Sequence, residues 1–159
     1  MLIHDHVAAL IRDIEKSFDK VPYPGDAAIE SDHCLECRER ADFYRGKDWK
    51  RVRTEDRLDA STLGFLSPEA FHAYIPCFLI PALAIKHYQD HVSESVPNVT
   101  DAVLYALSEP RERLREFNDE QLRILERWLE FIRDEAYPWE NESDARIEAA
   151  LGHLRSLPG

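Results

Sequence analysis

An apolar run from Ala73 to Ile85, carrying two prolines, constrains this chain more than any other feature. It sits inside the stretch TLGFLSPEAFHAYIPCFLIPALAIKHYQDH, from Thr62 to His91. The run is shorter than the roughly 20 residues needed to cross a bilayer, so it reads as a buried helix. Its start is well signalled. Ser67 can cap it, Pro68 suits the first helical position, and Glu69 lies where the helix dipole favours an anion. Leu66 and Phe71 have the spacing of a hydrophobic staple across that cap. A helix that is apolar on every face needs other elements around it, so the chain is expected to be all-α, with this stretch as its hub. Pro76 and Pro81 each remove a backbone donor and crowd the carbonyl four residues back, at His72 and Cys77. The helix therefore kinks, or it breaks and restarts at Pro76.

The flanking segments fit that architecture. Ile3, Val7, Leu10, Ile14 and Phe18 recur at three- and four-residue steps and predict an amphipathic first helix. VPYPGDAAIESD reads as a loop, with Pro24-Gly25 at the centre of a type II turn. Asp32 is the expected cap of a second helix that ends at Gly46 and places Cys34, Cys37, Ala41 and Tyr44 on one face. Trp49 is expected to anchor the next connection, in which Thr54 could cap a short helix carrying Leu58. Asn98 and Asp101 have capping spacing for a helix with Val103, Leu104 and Leu107, with a break near Pro110. Asn118 and Gln121 form a capping box for a helix with a stripe of Leu122, Leu125, Leu129, Ile132 and Ala136, ended by Pro138. A last helix runs from about Ser143 to Leu157. No run alternates for long enough to read as a strand. The expectation is one domain over 1–159, with five to seven helices around a central proline-kinked buried helix.

Charge and cysteine usage narrow the function classes. At 159 residues and 44% hydrophobic content, the chain can form one globular domain. Its net charge of -11, from 31 acidic and 20 basic residues, opposes attraction to nucleic acid or to anionic membranes. It suits a basic protein partner. The amino-terminal stretch MLIHDHVAALIRDIEKSF lacks the pattern of a signal peptide, and three cysteines do not suggest a secreted disulfide scaffold. A cytoplasmic protein with reduced thiols is the expectation.

The sharpest local motif is His33-Cys34-Leu35-Glu36-Cys37. A Cys-x-x-Cys supplies two thiolates at zinc-ligand spacing, whereas a structural zinc site needs four ligands. His33, Cys77, His72 or the His87/His91 pair would have to complete it. A redox pair is the second chemistry, because a thiol at a helix start has a lowered pKa. The bland reading makes Cys34 and Cys37 small buried groups on the face of Ala41. His87 and His91 are four residues apart but lack the Glu of a His-Glu-x-x-His motif. With five glycines and no Gly-x-Ser-x-Gly, no phosphate loop or nucleophile elbow is present. Tyr137-Pro138-Trp139 at a helix end is an exposed-aromatic candidate, which makes Tyr137 and Trp139 the partner-binding candidates.

Three pieces together resemble a bacterial family catalogued as domain of unknown function 6714. They are the opening helix running into VPYPGD, then HCLEC followed by DFYRGKDW, and FLSPEAFHAYIPCFL. The late helix NDEQLRILERWLEFIRDE is similar in kind. The resemblance implies a small bacterial protein and carries over no catalytic residues.

Taken together, the sequence points to binding of another protein, with an antagonist or immunity-type role against a basic partner as one form and homo-oligomerisation left open. The competing class is a zinc- or thiol-dependent protein using Cys34, Cys37, His33 and Cys77, which would have to converge within a few ångströms.

Overall fold

The computed structural model describes residues 3–30, 35–53, 60–87, 95–108, 111–136 and 141–157. Among these the α-helices are α1 (Ile3–Ser17), α2 (Leu35–Asp42), α3 (Trp49–Val52), α4 (Pro68–Tyr74), α5 (Pro76–His87), α6 (Ser95–Ser108), α7 (Asp119–Phe131) and α8 (Asn141–Arg155). Short 3-10 turns occupy 26–28, 60–65 and 111–114, and a π-helical turn, Ile132–Ala136, extends α7. The only β pairing among the described residues is a single antiparallel bridge between Glu30 and Leu66. The protein is all-α.

The hub is the expected one. Residues Tyr74 to Ile80 are all buried, with Ala82 and Leu83 beyond the second proline. The helix breaks at Ile75 and restarts at Pro76, the second of the two outcomes that the prolines allow. Ile75 keeps its own bond to the Phe71 carbonyl at 3.0 Å, and Leu79 bonds back to the Ile75 carbonyl at 3.0 Å, so the interruption is confined to one residue. Pro81 is accommodated inside α5.

Around α5 pack α1, α3 and α6. α7 lies against α1 and α8, and α8 also covers α6. α1 turns Val7, Leu10 and Ile14 into this core, and Phe18 just beyond its end continues the face, as the periodicity predicts. α7 contributes Ile124, Leu125, Trp128 and Leu129, so its buried face centres on Trp128 while Leu122 lies at the flank. α8 buries Ile147, Ala150, Leu151 and Leu154.

Two local expectations are corrected, and α3 is an element for which no start was expected. Gly25 has the positive φ of 97° that the Pro-Gly pair suggests, but its ψ of 148° is extended. The chain therefore does not close a type II turn there, and runs on into the 26–28 turn instead. α6 begins at Ser95 rather than at Asn98 or Asp101. Pro97 lies in its first turn, where a missing N–H costs no helical bond, so the helix can start before the residues that look like caps. α3 is capped by Asp48, whose carboxylate accepts from the Arg51 N–H at 2.9 Å. The expected caps Asp32 and Thr54, together with Leu58, Pro110 and Pro138, lie outside the described residues.

Candidate functional site at the junction of the first loop, the α2–α3 turn and α4

The segments VPYPGD, DFYRGKDW and FLSPEAFHAYIPCFL meet in space and are joined by hydrogen bonds that no local rule would reveal. Ser67 is the first joint. Its Oγ accepts from the Ala70 N–H at 3.0 Å, which caps α4, and donates to the Ala28 carbonyl. Its backbone N–H donates to the Ile29 carbonyl at 2.8 Å. One cap residue therefore starts the central helix and also holds the first loop against it.

Two buried tyrosines make the second joint. The rings of Tyr44 and Tyr74 lie 4.6 Å apart. The Tyr74 hydroxyl points at the carbonyls of Lys47, at 2.7 Å, and Tyr44, at 3.2 Å, while the Tyr44 hydroxyl bonds Thr62. Burial pushes the Tyr74 hydroxyl far above the ordinary phenol range, so it stays a neutral donor. Trp49 is the expected anchor. It is 3% exposed, and its indole N–H donates to the Phe18 carbonyl at 2.8 Å, closing the end of α1.

At the surface of this junction Tyr23 and Arg45 bind the loops together. The Gly46 N–H donates to the Tyr23 hydroxyl at 2.9 Å, and that hydroxyl donates to Asp26. Arg45 donates to the Asp26 carbonyl at 2.7 Å and to the Asp42 carboxylate at 2.7 Å, and lies 3.8 Å from Glu30. Partial burial and the bond to Asp26 both raise the Tyr23 hydroxyl. Gly46, at φ 73°, is where the chain turns from α2 toward α3, a backbone shape that disfavours side chains with a Cβ.

His72 sits on the far side of α4. Its ring packs 4.8 Å from Phe117 and 5.8 Å from Phe18, and its Nε2 lies 2.9 Å from Gln121 Oε1. Burial lowers its pKa, opposed by the Gln121 bond and by Glu116. Gln121 is 3% exposed and completes the expected capping box of α7. Its amide nitrogen also donates to the Ser17 carbonyl at 3.0 Å, so it links α1, α4 and α7.

Among the described residues no three His, Cys, Asp or Glu side chains are gathered as a metal would require, and of the four expected ligands only Cys37 and Cys77 are described. Cys37 is buried and disulfide-bonded, which departs from the expectation of reduced thiols. Cys77 is a free thiol, wholly buried, and donates to the Trp49 carbonyl at 3.2 Å. Burial raises it to about 12, so it is neither a ready nucleophile nor a thiolate ligand at neutral pH. His72 is held by Gln121. His33, Cys34, His91, Tyr137 and Trp139 lie outside the described residues, as does the side chain of His87.

Among the described residues, two large apolar side chains that the sequence did not single out are exposed: Leu35, 73% exposed at the start of α2, and Tyr105, 57% exposed on α6. Tyr105 occupies a helical position that periodicity assigns to neither face strongly. Leu35 lies between the two cysteines of the motif, and that placement was the available signal.

No curated protein matches this chain, and no solved structure matches it. The model of one family, described as a family of unknown function (DUF6714), matches residues 7–153, a span that contains every joint described above. The chain belongs to the DUF6714 family.

Proposed function

We propose that this protein acts by binding a basic protein partner. The observation that supports this reading is the way the surface charge is distributed. The chain has 31 acidic and 20 basic residues. Many of the cations are already held by its own carboxylates: Lys50 by Asp19, Arg53 by Glu15, Arg115 by Glu69, Arg127 by Asp13, Arg133 by Asp134 and Glu148, and Arg155 by Glu126 and Glu130. The carboxylate excess is thus left to attract an external cationic surface, and such attraction chiefly accelerates encounter and sets partner choice. The buried polar groups at the junction are used in joining loops, consistent with a rigid scaffold. No helix among the described residues is long and apolar enough to cross a membrane. A cytoplasmic location belongs to this proposal, as do Tyr137 and Trp139 as aromatic anchors, on the sequence argument alone. An antagonist or immunity-type role is the narrower form of the reading.

The test is affinity capture at low salt, identification of the captured protein, and titration of the purified pair at two salt concentrations. A basic partner whose affinity falls steeply with salt and is weakened by Trp139→Ala supports the reading. A captured partner that is acidic, binding that ignores salt, or self-association alone overturns it.

The alternative of a zinc- or thiol-dependent protein has one observation in its favour, the disulfide at Cys37. A sulfur held in a disulfide is not a thiolate, so that observation favours the thiol chemistry over zinc.

A further inference from the structure

Arg12, Lys16, Lys20 and Arg123 are exposed, and none of them makes a side-chain hydrogen bond or ion pair among the described residues. We propose that these four cations form a docking strip along α1 and α7 for a carboxylate-bearing helix of a partner protein. This goes beyond the binding reading and does not depend on it, because a partner of either net charge can carry such a helix.

The strip follows from how the two helices meet. Gln121 reaches the Ser17 carbonyl at 3.0 Å, and Arg127 reaches the Asp13 carboxylate at 2.8 Å, so α1 and α7 run antiparallel along one seam. Arg123 stands one turn before Arg127 on the same face of α7. Arg12 and Lys16 share the solvent face of α1, opposite Val7, Leu10 and Ile14, and Lys20 follows just past its end. At Asp13 and Arg127 the seam is closed by opposite charges. One turn further it is bordered by like charges, Lys16 from α1 and Arg123 from α7.

The nearest carboxylates are occupied: Asp13 by Arg127, Glu15 by Arg53 and Asp19 by Lys50. Asp119 and Glu120 bound the strip at the start of α7, where the helix dipole favours them. Arg38 and Arg146, exposed and likewise unpaired among the described residues, lie on α2 and α8, so the gathering of four is local to the seam.

The charge of the whole chain selects the occupant. Its net charge of -11 repels an extended polyanion or a second copy of itself. Screening over about 8 Å at physiological salt lets a short acidic segment respond to the strip alone. Arg12 and Lys16 stand about 6 Å apart along α1, the spacing at which a neighbouring helix presents Asp or Glu four residues apart. Exposed ion pairs are individually weak, so the strip sets the partner's orientation more than its affinity.

The experiment titrates the isotope-labelled full-length protein with a blocked Ala-rich helical peptide carrying Glu at every fourth position, and follows backbone amide shifts by NMR at low salt. The expected result is a set of shifts concentrated around Arg12, Lys16, Lys20 and Arg123, absent with the Gln version of the peptide. Lys16→Glu/Arg123→Glu should weaken binding by about tenfold. Circular dichroism checks the fold of that variant, and Lys16→Ala and Arg123→Ala, each expected to weaken binding less, serve if it is unfolded. No shifts at the strip, or shifts equally strong around Arg38 and Arg146, would make the attraction non-specific. Displacement of the peptide by oligothymidylate would make the strip a nucleic-acid surface. Concentration-dependent shifts without peptide, abolished by the same variant, would make it a contact between copies. Each of these results overturns the proposal. No basic partner enters the readout, so its failure is separable from failure of the binding reading.

Discussion

The Nε2 of His72 stands 2.9 Å from the Oε1 of Gln121, and the other bonds of that amide fix the direction of the proton. Gln121 Nε2 donates to the Ser17 carbonyl, so Oε1 faces the backbone N–H of Asn118 and the imidazole. An amide oxygen carries no hydrogen and can only accept, hence His72 carries its hydrogen on Nε2. One side chain thereby joins the end of α1, the middle of α4 and the start of α7.

Replacing Gln121 by Leu removes all three bonds while keeping a similar volume, and leaves the partly buried Ser17 carbonyl and His72 N–H unpaired. The expected loss is about 2 to 4 kcal/mol of unfolding free energy. Urea denaturation followed by circular dichroism measures it. A loss within about 0.5 kcal/mol, the scale of an ordinary surface substitution, would show that the amide is not a joint.

Acid should destabilise the protein through His72. Burial, the largest cause, lowers its folded-state pKa below the ordinary value of 6.5. Well above that value the ring is neutral in both states and pH has no effect through it. As pH falls through 6.5 the unfolded chain takes up a proton that the folded chain resists, so stability falls until the folded ring also titrates. Unfolding midpoints of wild type and His72→Gln, measured from about pH 7.5 to 5, should converge as pH falls. Parallel curves would remove His72 as the source.

Thr100 is wholly buried, and its hydroxyl has no hydrogen-bond partner among the described residues. Thr100→Val keeps the shape and removes the unpaired group. The variant should be unchanged or up to about 1 kcal/mol more stable, because an unsatisfied buried hydroxyl opposes folding. A clear loss in thermal or urea denaturation would mean that the hydroxyl has work elsewhere.

The two tyrosine hydroxyls of the junction should differ in weight. Tyr74→Phe removes a buried donor to the Lys47 carbonyl and should cost about 1 to 2 kcal/mol. Tyr23→Phe removes bonds that water can replace, and should change stability by less than about 0.5 kcal/mol. Equal losses in chemical denaturation would contradict the division between buried joint and surface clasp.

Cys77 should be silent toward iodoacetamide in the folded protein. Its thiol is fully buried and raised to about 12, so little thiolate exists at neutral pH and no reagent reaches it. Intact mass after alkylation, with and without denaturant, checks this. Rapid labelling of the native protein at Cys77 would disprove the burial.

What the sequence shows well is whatever lies within one or two helical turns. The Ser67 cap, the Asn118–Gln121 box and the apolar face of α1 involve residues three or four apart, where spacing alone decides which groups can meet. The start of α6 is less legible for a physical reason: Asn98 and Asp101 have cap chemistry, but a helix can begin ahead of them when a proline occupies its first turn. The joints between motifs are not legible at all. Trp49 and Phe18 are 31 residues apart, and Gln121 and Ser17 are 104 apart. No periodicity links such pairs.

The sequence by itself therefore determined an all-α chain with an unusually apolar hub, an interruption of that hub at its prolines whose form the structure decided, and an acid-rich composition. These follow from local sterics, hydrogen-bonding valence and composition. Only the tertiary structure decided that the three motifs lock together through Ser67, Tyr74 and Trp49, and that Cys77 and His72 are occupied within the core and not gathered with Cys37. It also showed that Leu35 faces solvent. Those outcomes depend on how helices pack against one another, and packing satisfies buried carbonyls with whichever donors the fold happens to bring near.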